Sequence, residues 1–193
     1  GVVTADMDGD GNLDIHAVQN FYSREPETGL WRGGIGFSGS FNQQGAFKMK
    51  PFSQSGFLVS GDGKGLTICD FNEDGWPDLL ATQNNDHLLA FRNNHRSGEA
   101  PLSVTIRGPK GNPTGIGVRV TAILKEGHSQ TAEIYAGSGY LSQSAPTLYF
   151  ASPEKISRIH TQWPDGIQTD TSIGDHKNHK LIIHHPVHLR ETR

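Results

Sequence analysis

Aspartate is concentrated in the stretch DMDGDGNLD, residues 6–14, where it occupies four of nine positions. Carboxylates this close together repel one another unless a cation lies among them. If alternate side chains point inward, the first, third and fifth residues of the loop converge on one centre. A hard cation with roughly six to eight oxygen ligands satisfies that arrangement, and calcium fits it better than magnesium, which keeps several of its own waters. The stretch therefore predicts a calcium site.

The aspartate loop occurs twice in the chain. Residues 1–20 (GVVTADMDGDGNLDIHAVQN) align without gaps with residues 65–84 (GLTICDFNEDGWPDLLATQN) at an offset of 70 − 6 = 64 residues, with eight identical positions of twenty. The identical pairs inside the loop are Asp6/Asp70, Asp10/Asp74, Gly11/Gly75 and Asp14/Asp78. Self-similarity of this kind indicates two copies of one structural unit.

Each copy places the pattern D-x-[DN]-x-D-G-x-x-D between two apolar runs of β character, VVTA and LDIHAV in the first copy, LTIC and DLLAT in the second. Glycine at the sixth position permits a sharp reversal. The seventh residue, Asn12 or Trp76, is expected to contribute only its backbone carbonyl, since the two side chains differ so much. An EF-hand begins similarly, but it requires glutamate at position 12 and flanking helices. Position 12 is Ala17 or Ala81, so the EF-hand is excluded.

The repeated loop resembles the FG-GAP or VCBS repeat, the calcium-loop blade of integrin-type β-propellers, whose repeat length matches the offset. The resemblance implies two calcium sites with a mostly structural role, each ion joining two strands of a blade. The implied ligands are Asp6, Asp8, Asp10, the Asn12 carbonyl and Asp14 in the first loop, and Asp70, Asn72, Asp74, the Trp76 carbonyl and Asp78 in the second. The alternative is a pair of solvated acidic turns without metal.

The second loop differs from the first at its third position, where Asn72 stands in place of Asp8. It therefore offers three carboxylates against four. Because ligand charge is one of the factors that set calcium affinity, we expect the second loop to bind calcium more weakly than the first.

Composition excludes several classes of function. The chain has 193 residues, 34% hydrophobic, with 24 glycines, 10 prolines and a formal net charge of −3. The lack of a basic excess argues against a nucleic-acid partner, and no apolar run reaches the roughly 18 residues of a membrane span. The single cysteine, Cys69, cannot form an internal disulfide. The sequence starts at Gly1, and no charged and apolar leader precedes the first motif. We therefore expect any targeting signal to have been removed or to lie upstream.

The polar linker NNHRSGEAP, residues 93–101, follows the strand HLLAFRN and predicts a domain boundary. We assign residues 1–98 to propeller blades, residues 99–185 to a β-sandwich and residues 186–193 to a tail. Beyond the linker, six segments read as strands between turn-forming clusters: LSVTIRG, GVRVTAIL, QTAEIYAG, PTLYF, ISRIHTQWP and KLIIHH. Their spacing predicts a small antiparallel sandwich, so the fold class is all-β.

The C-terminal part resembles the ASPIC/UnbV domain, which follows FG-GAP repeats in exported proteins. Three segments carry the resemblance within residues 102–170: GNPTGIGVRVTA, YAGSGYLSQSAPTLYF and IHTQWPDGIQTD. The chain departs from the family at residues 150–152 (FAS), where a glycine-containing turn is usual. The resemblance implies an extracellular binding or adhesion role, and it supplies neither a ligand nor catalytic residues.

Four other features of the sequence have the chemistry for binding, and each also has a structural interpretation. Residues 25–34 form a possible ligand-facing loop with Trp31, although that side chain could equally cover a strand edge. Tyr140 lies in the GSGYLSQS loop, where it is either exposed for binding or part of a structural turn, whereas Trp163 is expected in the core. The terminal histidines predict a solvated strand and tail rather than a transition-metal site. They are His176, His179, His184, His185 and His188.

We therefore expect an exported, secreted or periplasmic binding or adhesion module that is not an enzyme. Its expected cofactor is calcium, its expected ligand an extracellular protein or carbohydrate. The alternatives are a carbohydrate-active enzyme or its accessory domain, and an inert spacer. No nucleophile elbow or zinc-binding helix is present, and GDGKG at residues 61–65 is interpreted as a turn between blades. Because two repeats cannot close a propeller ring, upstream blades are expected to complete it, and exposed blade edges could otherwise drive self-association.

Overall fold

A computed structural model describes residues 1–19, 36–41, 45–94, 99–173 and 179–187. Over these ranges the chain is all-β, with fourteen strands, one short α-helix and one 3₁₀ turn at Pro153–Lys155. The elements of the first part are β1 Val2–Ala5, β2 Asp14–Ala17, β3 Phe37–Phe41, β4 Phe47–Lys50, α1 Phe52–Ser55, β5 Gly63–Cys69, β6 Asp78–Gln83 and β7 Leu89–Phe91. Those of the second part are β8 Leu102–Arg107, β9 Arg119–Leu124, β10 Ser129–Glu133, β11 Thr147–Phe150, β12 Ile156–Gln162, β13 Gln168–Ser172 and β14 Lys180–His184.

The two sequence repeats form two equivalent hairpins. In the first part, antiparallel strands make one sheet in the order β1-β2-β3-β4 and another in the order β5-β6-β7. Val2 pairs with Ala17 in the first hairpin, and Leu66 pairs with Ala81 in the second, so the 64-residue offset is kept in strand register. The described residues of these two sheets do not form a closed ring of blades.

Alternating apolar residues of both hairpins bury one shared core. Val3 and Ala5 from β1 pack with Leu66 and Ile68 from β5, as the period of two in a half-buried strand requires. Tyr149 of β11 also enters this core, and its side chain is buried there. The first part is therefore packed directly against the second.

The second part has the two-layer arrangement of a β-sandwich. One sheet has the order β10-β9-β12-β13 and the other β11-β8-β14. Its core contains Val104, Ile106, Val120, Ile159 and Trp163, all almost fully buried. The expected core position of Trp163 is thus confirmed. The side chains of this core alternate along each strand, which places one face of each sheet inward.

Three details differ from the sequence analysis. The strand β13 was not predicted, because QTDTS contains no buried residue and lacks an apolar face. β14 pairs in parallel with β8, on the side of β8 opposite to β11. The sequence instead predicts a sandwich in which all strands are antiparallel. The GDGKG stretch is only partly a turn, since β5 already begins at Gly63. Among the described residues, no helix has the length and apolar character needed to cross a membrane.

Candidate functional site

The first aspartate loop brings three of its predicted ligands together. One carboxylate oxygen from each of Asp6, Asp8 and Asp14 lies within 4.8 Å of the others. Asp6 is fully buried and Asp14 is 4% exposed. Asp14 is the first residue of β2, so the end of the hairpin fixes its position opposite the other two. The cluster therefore arises from strand register as well as from the loop.

The Asp6 carboxylate organises the turn of the first loop. Its Oδ1 accepts a hydrogen bond from the Asp10 N–H at 3.1 Å, and its Oδ2 accepts one from the Gly11 N–H at 2.9 Å. Gly11 has φ +99°, a conformation that side chains rarely adopt. Asp14 Oδ2 similarly accepts the Met7 N–H at 3.1 Å. These bonds hold the carboxylates in place. Asp6 Oδ1 and Asp14 Oδ2 each accept one of them, which leaves a second lone pair on each of these two oxygens for a cation.

Burial makes the charges of this cluster costly. It raises the pKa of Asp6 to about 6 and, more strongly, the pKa of Asp14 to about 7. The Lys50 ammonium partly opposes this effect at Asp14, since its Nζ lies 3.7 Å from Asp14 Oδ1 and 4.0 Å from Asp8 Oδ2. A buried carboxylate is stable in its charged form only when positive charge or hydrogen bonds compensate it. The single positive charge of Lys50, which is partly exposed, offsets only part of the negative charge of three ionised carboxylates.

Asp10 is placed differently from the other aspartates of its loop. Its carboxylate accepts hydrogen bonds from the Asn12 N–H at 2.7 Å and from Asn12 Nδ2 at 3.1 Å, and it is not a member of the three-carboxylate cluster. The structure therefore unites Asp6, Asp8 and Asp14 and leaves Asp10 at the side. The roles of Asp10 and of the Asn12 carbonyl as ligands stay predictions.

The second loop repeats the turn of the first. Asp70 Oδ1 accepts the Asp74 N–H at 3.0 Å and Asp70 Oδ2 accepts the Gly75 N–H at 2.9 Å. Gly75 has φ +93°, close to the value at Gly11. Asp78 is buried, and both of its oxygens accept backbone N–H groups, from Phe71 and Asn93.

The carboxylates of the second loop do not converge as those of the first do. No three acidic side chains of this loop form a cluster among the described residues. Asn72 donates its side-chain amide to Asp74 at 2.7 Å, and Lys180 Nζ lies 3.5 Å from Asp70 Oδ2. Trp76 is buried, and its carbonyl ligand role stays a prediction, as does weaker calcium binding at this loop.

The donors of the first loop fit calcium in chemical type. They are carboxylate oxygens, the hard ligands that calcium prefers, and more than one comes from a buried position that would gain from a divalent charge. Asp6, Asp8 and Asp14 would hold the ion. Its chemistry there would be charge neutralisation between β1 and β2.

The first loop also contacts residues of the sandwich that no sequence motif predicts as part of the site. Gln130 Nε2 donates to Asp6 Oδ2 at 3.0 Å, and Gln130 Oε1 accepts the Ala151 N–H at 2.7 Å. Lys155 Nζ donates to the carbonyls of Gly9 and Asp10 at 3.0 and 3.1 Å. These partners are separated by more than a hundred positions from the loop, so no local motif could have indicated them.

A cavity of about 360 Å³ opens beside the first loop and is lined by Asp8, Asp14 and Lys50. At its wall, His16 Nε2 and Ser38 Oγ are 3.1 Å apart, and both side chains are buried. Burial, with a smaller contribution from the positive charge of Lys50, lowers the pKa of His16 to about 4. An imidazole this weakly basic is a poor general base near neutral pH.

The GSGYLSQS loop exposes the side chain that the sequence singled out. Tyr140 is 62% exposed, and the neighbouring Leu141, which was not singled out, is 77% exposed with φ +49°. The loop is held on β5, where Ser142 Oγ donates to the Leu66 carbonyl at 2.9 Å. A binding role for Tyr140 stays a prediction.

One terminal histidine is placed differently from the prediction of a solvated strand and tail. His185 is 3% exposed, stacks edge-on against Trp163 and lies 2.9 Å from Asp165 Oδ2. Its Nδ1 accepts the Val187 N–H, so Nε2 is the donor to Asp165. The prediction was wrong here because hydropathy did not reveal the aromatic partner. His184 is exposed and His179 is partly buried.

Some predicted features lie outside the described residues. They are the 25–34 loop with Trp31, the central part of the linker, and His176 and His188.

Comparison with known proteins finds one family model that matches the second part of the chain. Residues 108–189 match the family model described as ASPIC and UnbV. This range begins just after β8 and includes the rest of the sandwich. The ASPIC/UnbV resemblance of the second part is therefore confirmed, while FG-GAP repeats in the first part stay a prediction.

Two curated relatives are similar over a longer range. Cartilage acidic protein 1 of Homo sapiens is 25% identical over 186 residues, which cover 94% of this chain and 27% of that protein. Cartilage acidic protein 1 of Mus musculus is 27% identical over 126 residues, covering 63% of this chain and 19% of that protein. The chain thus spans about a quarter or less of the length of these relatives.

Proposed function

We propose that this chain is part of an exported, calcium-binding interaction module, in which calcium stabilises the aspartate loops and a separate surface binds an extracellular protein or carbohydrate. The observation that carries the proposal is the cluster of Asp6, Asp8 and Asp14, whose carboxylates approach within 4.8 Å in a largely buried position. A divalent cation would offset a repulsion that Lys50 offsets only in part.

In this proposal calcium has a structural role that reaches beyond its own loop. Asp6 is bonded to Gln130 of the sandwich, and Lys155 of the sandwich is bonded to the loop carbonyls. An ion that fixes the first loop would also fix the surface on which the sandwich rests. Calcium loss would therefore loosen the contact between the two parts of the chain.

The interaction and export parts of the proposal are supported by the similarity to cartilage acidic protein 1 and by the ASPIC/UnbV match. The two equivalent hairpins support an arrangement of the first part as FG-GAP-type blades. Upstream blades of a longer polypeptide would complete such a propeller, since a ring needs about four to eight of them.

Calorimetric titration of two variants tests the calcium sites separately. In Asp14→Ala only the second loop keeps its full ligand set, and in Asp78→Ala only the first loop does. We expect the site left in Asp78→Ala to be the tighter one, because its loop has one more carboxylate. A tighter remaining site in Asp14→Ala would contradict this order, and an unchanged two-site titration in both variants would contradict the sites themselves.

The carbohydrate-active enzyme is the rival to a binding module. The pocket beside the first loop contains His16 and Ser38, but the pKa of His16 is lowered to about 4 by burial, which disfavours a proton-transfer role at neutral pH. We therefore propose binding without catalysis. Depolymerisation assays on acidic and neutral polysaccharides, with and without calcium, test this, and reproducible chain cleavage that Ser38→Ala abolishes would overturn it.

A further inference from the structure

The strand β1 has an outer edge that no other strand of the described chain covers. It is the first strand of the sheet β1-β2-β3-β4, so only its inner side is paired. The side chains of Val2 and Thr4 are exposed along it, while Val3 and Ala5 point into the core. An uncovered strand edge offers a row of backbone donors and acceptors to another extended chain.

The hydrogen-bond pattern defines which backbone groups face outward. Gly1 and Val18 exchange both of their backbone bonds, at 3.0 and 2.8 Å. In an antiparallel pair, hydrogen-bonded and non-hydrogen-bonded pairs alternate. Val2 and Thr4 are therefore in the non-hydrogen-bonded pairs with Ala17 and Ile15. Their N–H and C=O groups point away from β2, toward the outer edge.

A cleft of about 240 Å³ runs along this edge. One wall is formed by β1, and the other by β10 with Tyr135 and the Gln143 region. Strand β10 is itself the end strand of its sheet. The exposed side chains of Val2 and Tyr135 stand at the cleft. The cleft is therefore bounded by the edges of two outermost strands, β1 and β10, and has apolar side chains at its rim.

In the second repeat, the equivalent outer edge belongs to β5, and residues 142–145 of the chain cover it. By the 64-residue offset, Leu66 and Ile68 of β5 correspond to Val2 and Thr4 of β1. There the Ile68 carbonyl accepts the Ala145 N–H at 3.1 Å, the Ile68 N–H donates to Ser144 Oγ at 3.2 Å, and the Leu66 carbonyl accepts Ser142 Oγ at 2.9 Å. A short S-x-S segment of the second part, residues 142–144, thus lies on the edge of β5.

From this equivalence we infer that the β1 edge and its cleft form a docking site for an extended peptide of a partner protein with serine or threonine at alternate positions. The peptide would bond to the outward groups of Val2 and Thr4, as the segment containing Ser142 and Ser144 does on β5. The cleft is continuous with that intramolecular contact, since residues 143–145 also line it. The contact on β5 combines one backbone bond with two serine hydroxyl bonds. In the proposed complex the backbone bond and the hydroxyls would both contribute to affinity, and the spacing of the hydroxyls would give specificity, as in other peptides bound along a sheet edge.

A labelled peptide copied from residues 139–146, GYLSQSAP, is the probe, and fluorescence polarisation on the full chain is the measurement. Thr4→Pro removes an outward N–H without removing a bond to β2, whereas Thr4→Val leaves the backbone intact. We expect saturable binding to the wild type, affinity weakened by about tenfold or more in Thr4→Pro, as for loss of one or more hydrogen bonds, and little change in Thr4→Val.

A second probe keeps the test independent of how Thr4→Pro folds. The same peptide with an N-methyl group on the amide that corresponds to Ala145 cannot make the bond seen on β5, and it should bind the wild type at least about tenfold more weakly. Absence of wild-type binding, or equal binding by both peptides, overturns the inference. Concentration-dependent dimerisation that Thr4→Pro abolishes, without peptide binding, also overturns it, because the occupant is then a second copy.

The inference deepens the proposed binding role and rests on it, but it does not rest on calcium. Thermal melting with and without calcium is recorded on the same samples. A melting temperature that rises with calcium, without peptide binding, contradicts only the docking site. Peptide binding without any calcium effect on the melting temperature contradicts only the proposed role of calcium.

Discussion

At Asp14 the fold places an almost fully buried carboxylate beside those of Asp6 and Asp8. Burial raises its pKa to about 7, and the nearby Lys50 reduces that effect. A carboxylate so placed destabilises the metal-free fold, and in the proposed calcium-bound form it would instead bind the ion.

The variant Asp14→Asn separates these two effects. It removes a buried charge but keeps an oxygen that can accept the Met7 N–H. We expect the melting temperature in chelator to be unchanged or higher, and the calcium-induced rise to shrink. For a site saturated at a hundred times its dissociation constant, the lost stabilisation is about 2.7 kcal/mol.

Differential scanning fluorimetry with chelator and with calcium makes this comparison. Asp78→Asn in the second loop is the matched control, and we expect it to lose the smaller part of the calcium response. A calcium response in Asp14→Asn as large as in the wild type contradicts the role of the first cluster.

The His185–Asp165 pair gives a pH-dependent prediction. Hydrogen bonding from the Ile167 N–H, and then from His185, lowers the pKa of Asp165. A lowered pKa means that the ionised carboxylate stabilises the fold above its unfolded-state pKa, and that this stabilisation is lost as pH falls through the folded-state pKa. We expect Asp165→Asn to be less stable than the wild type at pH 7 and equally stable in strong acid. Urea unfolding at both pH values tests this, and a pH-independent difference would contradict it.

At the level of elements, the aspartate loop between β1 and β2 is also an interface element. Gln130 of β10 uses both ends of its amide there, one on Asp6 and one on Ala151. Its side chain is 9% exposed, so water cannot easily replace either partner. The loop and the sandwich edge are therefore stabilised by the same side chain.

Replacing Gln130 with leucine leaves the Ala151 N–H unpaired and removes a donor from Asp6. An unsatisfied buried group costs about 1–3 kcal/mol, so we expect Gln130→Leu to lower the free energy of unfolding by about 2–4 kcal/mol. Gln168→Leu, at an exposed position of β13, is the control and should change it by less than about 0.5 kcal/mol. Chemical denaturation measures both, and equal effects of the two variants would contradict the interface role of Gln130.

At the level of the whole molecule, two repeat sheets and a sandwich share packed surfaces. Tyr149 of the sandwich is buried in the core of the repeats, and Lys180 of β14 donates to the Glu73 carbonyl beside the second loop at 3.1 Å. Each aspartate loop is thus contacted by a lysine of the sandwich. Calcium at both loops would act on the stability of the molecule as a unit.

The sequence predicts the local parts of this molecule well. The hairpins and their register follow from the repeat, since strand, loop and strand are contiguous and appear twice. Spacing in the loop predicts that Asp6, Asp8 and Asp10 converge, and the cluster contains the first two of these with Asp14. Asp14 is placed there by the start of β2, whereas the position of Asp10 depends on its bonds with Asn12.

The contacts between distant segments could not be predicted in the same way. Gln130, Lys155 and Lys50 reach the first loop from other strands or turns, and no spacing rule relates them to it. The polar strand β13 and the parallel direction of β14 likewise depend on tertiary pairing rather than on an apolar pattern. His185 is buried because Trp163 and Asp165 meet it in space.

The most direct test of the account is calorimetric titration of the chelator-stripped chain with calcium, with thermal melting in parallel. We expect two bound ions, the tighter at the first loop, and a melting temperature that rises with calcium. No heat of binding and an unchanged melting temperature at millimolar calcium would contradict it.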